Sequence, residues 1–366
     1  MIIFYNITVQ LNINMKNPYT VVLIIPTGVG ATIGGYAGDG IPVAKAISQV
    51  CDRLITHPNV LNGAQLYFNS PNTLYVEGYA LDQFASGNWG LKPVTHNRVG
   101  LILDQGIEPD LRLRHIQATE AVRATLGISV TDYIITDAPL NVELHLSESG
   151  ASWGTIGNPD SLLRVSEKLI KQGIEAIAVV ARFPDEMESE ILQNYRQGSG
   201  VDPLAGAEAI ISHLIVRQFK IPCAHAPALI PLPLDPSISP RSAAEELGFT
   251  FLPCVLVGLS QAPQYVTNYD NYSPSPNIIC ASQIDALVIP KNACGGSAIL
   301  SLSERKNVKI ITVKDNQTQM NVTATNLGIN VIEVNSYLEA LGILITERSG
   351  INYQALLPHI SSIQEI

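Results

Sequence analysis

Short apolar runs alternate with amphipathic stretches along most of the chain, and the period of each stretch sets the element it predicts. Runs at 19–25, 54–56, 99–103, 133–136, 175–181, 251–259, 284–289, 308–313 and 331–334 predict strands. Between several of them the spacing becomes helical. Pro42 near a first turn opens a predicted helix over 42–54, Asn158 or Ser161 caps one that stops at Gly173, and 205–219 form another. In the helix predicted over 110–126, Leu111, Ala118, Val122 and Leu126 make a stripe that His115 interrupts.

Strands alternating with helices imply βαβ units. The predicted fold class is α/β, with a mainly parallel sheet, helices on both faces and two lobes. Ligands of such sheets bind beyond the carboxyl ends of the strands. Six prolines between 221 and 242 predict a crossing between lobes, and the Tyr, Asn, Pro and Ser of 261–277 predict a surface flap. The resulting division is an extension at 1–14, a glycine-loop α/β lobe at 15–220, the crossing and flap at 221–280, and a C-terminal α/β lobe at 281–366. Residues 1–14 read as an extra edge strand or a tail, with Met15 as an alternative start.

Composition narrows the partners. The formal charge is −10 and no extended basic cluster stands out, so nucleic acid is not expected. No apolar stretch reaches the roughly 18 residues of a membrane span, and the polar-interrupted start does not read as a signal peptide. Five widely spaced cysteines without a CxxC argue against a disulfide framework or zinc ribbon and for a reducing, cytoplasmic setting. A homo-oligomer is left open.

The densest chemical signal is six glycines in the thirteen positions 28–40. Gly28, Gly30 and Gly34 have GxGxxxG spacing, yet the following strand ends in His57-Pro58-Asn59 instead of the acidic residue of a dinucleotide site, and no GxxxxGK[ST] is present. Gly28, Gly30, Gly34 and Gly35 are expected to let backbone N–H groups approach an anion, or else to allow close helix-to-sheet packing. A similar strand, proline and double-glycine turn recurs at 287–299, where Gly295 and Gly296 follow Cys294. A thiol at a helix start is acidified, so Cys294 with a histidine such as His225 is a candidate nucleophile or acid/base, against a buried inert cysteine.

Other polar residues follow predicted strands: His57 with Asn59 and Asn62, Asp104, Asp137 with Asn141, and Arg182 as a possible carboxylate clamp. Each has a bland alternative in turn hydrogen bonds or surface ion pairs. Asp202 is a helix cap candidate, and Glu208 and His213, five apart, are poorly spaced for one metal; no metal or cofactor is assigned.

The stretches TGVGATIGGYAGDG, ITHPNVLNGA, LDQGIEPDLRLRH, TDAPLNVEL, SGASWGTIGNPDSLLR, GVDPLAGAEAIISH and PRSAAEELGFTFLPCVLVG resemble domain of unknown function 3326, a family of photosynthetic bacteria and plants. The resemblance spans roughly 20–345 and implies a cytoplasmic or stromal setting but no residue roles. The expected function is therefore an enzyme binding an anionic, phosphorylated or carboxylic, small metabolite between the 27–40 and 291–297 turns. The alternatives are a non-catalytic metabolite sensor or interaction protein, and a metal-dependent hydrolase or lyase.

Overall fold

Strands that are apolar along both edges need cover on both faces, and two parallel sheets meet that need here. The computed structural model describes residues 17–62, 70–185, 190–248, 251–268, 276–360 and 362–363. The predicted extension at 1–14 and part of the 261–277 flap lie outside them. In chain order the strands are β1 (Thr20–Leu23), β2 (Arg53–Thr56), β3 (Thr73–Tyr75), β4 (Gly90–Lys92), β5 (Val99–Leu103), β6 (Val130–Ile135), β7 (Val142–Leu146), β8 (Ser152–Ile156), β9 (Ala176–Arg182), β10 (Cys223–Ala228), β11 (Gln264–Val266), β12 (Ala286–Pro290), β13 (Lys309–Val313) and β14 (Ile332–Val334). The α-helices among the described residues are α1 (Ile41–Ser48), α2 (Pro58–Leu61), α3 (Gly78–Ala85), α4 (Pro109–Leu126), α5 (Pro159–Lys171), α6 (Glu190–Arg196), α7 (Ala205–Phe219), α8 (Ala243–Glu246), α9 (Leu252–Ser260), α10 (Ser297–Ser303) and α11 (Tyr337–Arg348).

Six strands form an all-parallel sheet in the order β14-β13-β12-β1-β2-β3, and four form a second parallel sheet, β10-β9-β5-β6. Val22 sits in register between Ile55 and Leu287 at the centre of the larger sheet. Strand order reverses between β1 and β12 and again between β5 and β9, opening a crevice at the carboxyl ends of each sheet. Two further pairs are antiparallel: β4 with β11, which are distant in the chain, and the β7–β8 hairpin.

Side-chain alternation sends each strand's residues to opposite faces. Val21 and Val288 join Leu101, Val180 and Leu256 in one hydrophobic cluster, while Val22 and Leu287 join Ile102, Val179 and Phe84 in the other. Both clusters draw on both sheets, so the predicted division into two lobes is not confirmed. No described helix is long and apolar enough to cross a membrane.

Two expectations change. Residues 251–259 are not a strand: α9 packs against α4, β10, β9, β5 and α2, and a helix covered on so many sides is apolar all round and shows no helical period. The proline-rich crossing contains β10, an edge strand, where Pro227 leaves no central ladder position empty.

Candidate functional site

The carboxyl ends of β2, β3, β9 and β10 converge with the first turns of α7 around a cavity of about 590 Å³. Its polar lining includes His57, Glu77, Asp202, Glu208, His213, His225 and Glu245; Leu111, Leu144, Leu204, Leu229, Ile230, Phe251 and Leu252 supply much of its apolar wall. A largely apolar concavity with a few convergent polar groups is the form small-molecule sites take.

Each polar group is held by a neighbour. Glu77, 2% exposed, caps α3 by accepting from the Ala80 N–H at 3.1 Å, and its other oxygen pairs with Nδ1 of His213. Burial alone would lower the His213 imidazole, but the Glu77 contact and Asp82 raise it overall. His225 projects from β10 with Nε2 3.7 Å from a Glu208 oxygen and Nδ1 3.2 Å from the Ser212 hydroxyl. Asp202 accepts from the Leu204 N–H at 2.8 Å just before α7. Burial, followed by the charge of Glu208, pushes its carboxyl up to about 7. His57 lies where β2 ends, and burial pushes it down to about 4. The Ile25 N–H donates to its Nε2 at 3.1 Å, occupying the lone pair that a second proton would need, so His57 is neutral with its proton on Nδ1.

On the glycine-loop side, Glu245 accepts from the Tyr195 hydroxyl at 2.7 Å and from the Ala37 N–H. Burial, reinforced by Asp202, pushes its carboxyl up. Tyr36 stacks on Tyr195 with centroids 4.6 Å apart. Among the described residues no group of three or more His, Cys, Asp or Glu is arranged to hold a metal ion.

The structure gathers some of the predicted site residues and not others. His57, Asn59, Asn62 and His225 line the cavity; Thr27 and Ala37 reach it from the glycine loop, whereas Gly28, Gly30, Gly34 and Gly35 do not line it. Those glycines sit against other parts of the chain: a Cβ on Gly30 (φ +64) would lie 2.8 Å from the Gly200 carbonyl oxygen, and one on Gly35 2.1 Å from that of Ala31. Several loop N–H groups already have acceptors. Thr32 donates to Gln317, Ile33 to Asn316, and Gly34 and Tyr36 to Asp39, which therefore serves the loop instead of capping α1. Asn292 in turn holds Thr318 at 3.1 Å, so the segment around 316–319 bridges the 27–40 and 291–297 turns.

Cys294 is fully buried, donates to the Lys291 carbonyl at 3.3 Å, and is raised by burial; it does not line the cavity with His225. Gly295 and Gly296 precede α10, where the Ala298 N–H is taken by Asp82 at 3.0 Å. Asp104, 1% exposed, accepts from the N–H groups of Gly106, Leu140 and Arg182 across the β5–β9 reversal. Arg182 pairs with Glu108 and Asp185, which fill its fork. Asp137 pairs with Arg164 at 2.7 Å, which holds its carboxyl well below the usual range. Asn141 takes a left-handed turn (φ 50) that opens β7.

Glu77, Tyr195 and Glu245 carry no local sequence signal. Glu77 follows a three-residue strand too short to show a pattern, and Glu245 belongs to a four-residue helix in a Ser-, Pro- and Glu-rich segment. His213 and Glu208 were visible as a pair with poor metal spacing; their partners, Glu77 and His225, come from elsewhere in the chain.

Among proteins of known sequence, a Synechococcus sp. protein named "Uncharacterized lipoprotein" is 57% identical over 339 residues, covering 93% of each chain. Among solved structures, the dimeric Lac repressor with an 11-residue C-terminal deletion aligns at 8% identity and a TM-score of 0.16, over 69% of this chain and 91% of that one. A Weissella paramesenteroides LacI family transcriptional regulator with bound glucose gives 10% identity and the same TM-score, over 69% and 90%. Likenesses at that score carry no argument about fold or ligand. The family model described as "Protein of unknown function (DUF3326)" matches residues 20–357, nearly the whole chain, and the chain belongs to that family.

Proposed function

We propose that the cavity is the active site of an enzyme that moves protons on a small organic molecule. The observation that carries this reading is the meeting, on one largely apolar wall, of the Glu208–His225 pair with the Asp202 carboxyl. A general base needs a group that stabilises it once protonated, and Glu208 stands 3.7 Å from His225 for that role. A general acid needs a proton to give near neutrality, and burial beside Glu208 leaves Asp202 at about 7. In the simplest cycle His225 takes a proton from one carbon of the bound molecule and Asp202 returns one to another, after which both groups exchange with solvent, so that an isomerisation balances without an external reductant or oxidant.

The test is to incubate the purified chain with a desalted small-molecule extract of a photosynthetic bacterium and follow each compound over time by chromatography coupled to mass spectrometry, which resolves isomers of one mass. One compound should be consumed by the wild-type chain and spared by Asp202→Asn and His225→Gln. Retention of a compound without its consumption would favour the non-catalytic sensor; neither retention nor consumption would remove the small-molecule reading.

We also propose a cytoplasmic setting, supported by five cysteines that are all buried and widely spaced, with no CxxC among them. The name of the Synechococcus relative points instead to a membrane-anchored protein. Cell fractionation separates the two: recovery in the membrane fraction, released only by detergent, would overturn the cytoplasmic placement.

A further inference from the structure

We propose that residues 190–200 and 230–248 form one lid on the cavity, latched to the glycine loop 27–40, and that the lid must swing off this loop for a molecule to enter or leave. The proposal rests on the reading of the cavity as a small-molecule site and gives the glycine loop its role, as the seat of the lid.

The two segments are tied to each other. The Arg196 guanidinium pairs with Glu246 at 2.8 Å and donates to the Pro233 carbonyl at 3.1 Å. The Ser239 N–H donates to the Arg196 carbonyl at 3.0 Å, the Ser242 hydroxyl to the Tyr195 carbonyl at 3.0 Å, and the Gln197 amide to the Ser237 hydroxyl at 2.9 Å. Neither segment contributes a residue to either hydrophobic cluster, although Ala228 and Leu229, just before the second, do. A unit outside the core, with few buried apolar contacts, opens at a lower free energy than the strands beneath it.

The lid rests on the glycine loop. Arg241 donates to Asp39 at 2.9 Å, the Ala37 N–H donates to Glu245, and Tyr195 stacks on Tyr36. A Cβ on Gly30 would lie 2.8 Å from the Gly200 carbonyl oxygen, so the two backbones touch there. Away from this loop the Ile230 N–H reaches Asp185 only at 3.5 Å. The Arg241 side chain of the latch is 45% exposed, whereas that of Arg196, within the lid, is 6% exposed. Water competes far better for the exposed pair, so the latch separates before the lid comes apart. Leu192, Ile230, Leu232 and Glu246 line the cavity, so departure of the lid opens that wall, and its return shields Asp202 and His225 from water.

Hydrogen exchange of the full chain, read by mass spectrometry, tests the lid as a unit. Arg241→Gln should speed exchange of the hydrogen-bonded amides of both 197–199 and 239–248 by roughly threefold or more and leave β5 and β9 unchanged. A thiol on the cavity wall tests access, and Ser212, which lines the cavity and is 3% exposed, is the place for it. Iodoacetamide should label Ser212→Cys at the new thiol roughly fivefold faster or more when Arg241→Gln is added, while Cys294, buried away from the cavity, stays unlabelled. An exchange response confined to 239–248, around the substituted residue, or absent from both segments would overturn the proposal. So would an unchanged labelling rate, or labelling of Cys294 alongside the introduced thiol, which would mean that the whole fold had loosened. The reading of the cavity as an active site fails separately, through the extract experiment on Asp202→Asn and His225→Gln.

Discussion

Asp202 and His57 place opposite pH dependences in one cavity. An aspartate titrates near 3.9 in an unfolded chain and at about 7 in this fold, so the folded state holds the extra proton between those values. The stabilisation this gives is complete below the unfolded value and is lost as pH rises through about 7. His57 behaves oppositely: its neutral form is favoured, and that contribution is lost as pH falls from the ordinary histidine range through about 4. As pH rises from about 4 to about 7, the thermal midpoint of Asp202→Asn should gain on that of the wild-type chain, because the variant lacks the contribution that is lost over this range; midpoints that stay parallel would show that Asp202 titrates normally. At Cys294 burial outweighs the acidifying effect expected of a helix start, because its thiol meets the Lys291 carbonyl and not solvent. Iodoacetamide should label it only after denaturation, and rapid labelling of the native chain would contradict this placement.

Helix α7 is the element on which the site depends most, since its first turns carry Glu208 and follow Asp202, while its middle carries Ser212 and His213. It lies against β8 at glycine contact distance: a Cβ on Gly206 would stand 2.2 Å from the Ser152 carbonyl oxygen, a backbone atom that cannot swing aside. Gly206→Ala should cost about 1–3 kcal/mol of stability, read by denaturant unfolding, and should impair whatever reaction the extract experiment finds. A variant as stable as the wild type would mean that α7 can draw back from β8. The same helix shows what a sequence conveys and what it withholds. Its limits, 205–219, follow from periodicity, and Asp202, Glu208 and His213 stand out on or just before it. That Glu208 meets His225 and His213 meets Glu77 depends on how β10 and β3 are placed, and no local pattern encodes that. The sequence of α9 reads as a strand for a related reason: a helix buried on nearly every side loses the polar face by which periodicity recognises helices.

Across the whole molecule, the α/β class and the parallel sheets were legible because apolar runs too short to be helices recur between helical stretches. The split into two sheets was not, since each run is equally apolar whichever sheet it joins. The strand-order reversals, which direct ligands to the carboxyl ends of strands, became visible only with the topology. The site that results combines β2, β3, β9, β10, α4 and α7, and its central claim is proton transfer at Asp202 and His225. The most direct measurement is to incubate the chain with the small-molecule extract in deuterium oxide and examine the recovered compounds by mass spectrometry. The account predicts that one compound acquires solvent deuterium at carbon with the wild-type chain, and not with Asp202→Asn or His225→Gln. Deuterium acquired equally with all three chains, or in no compound at all, would contradict it.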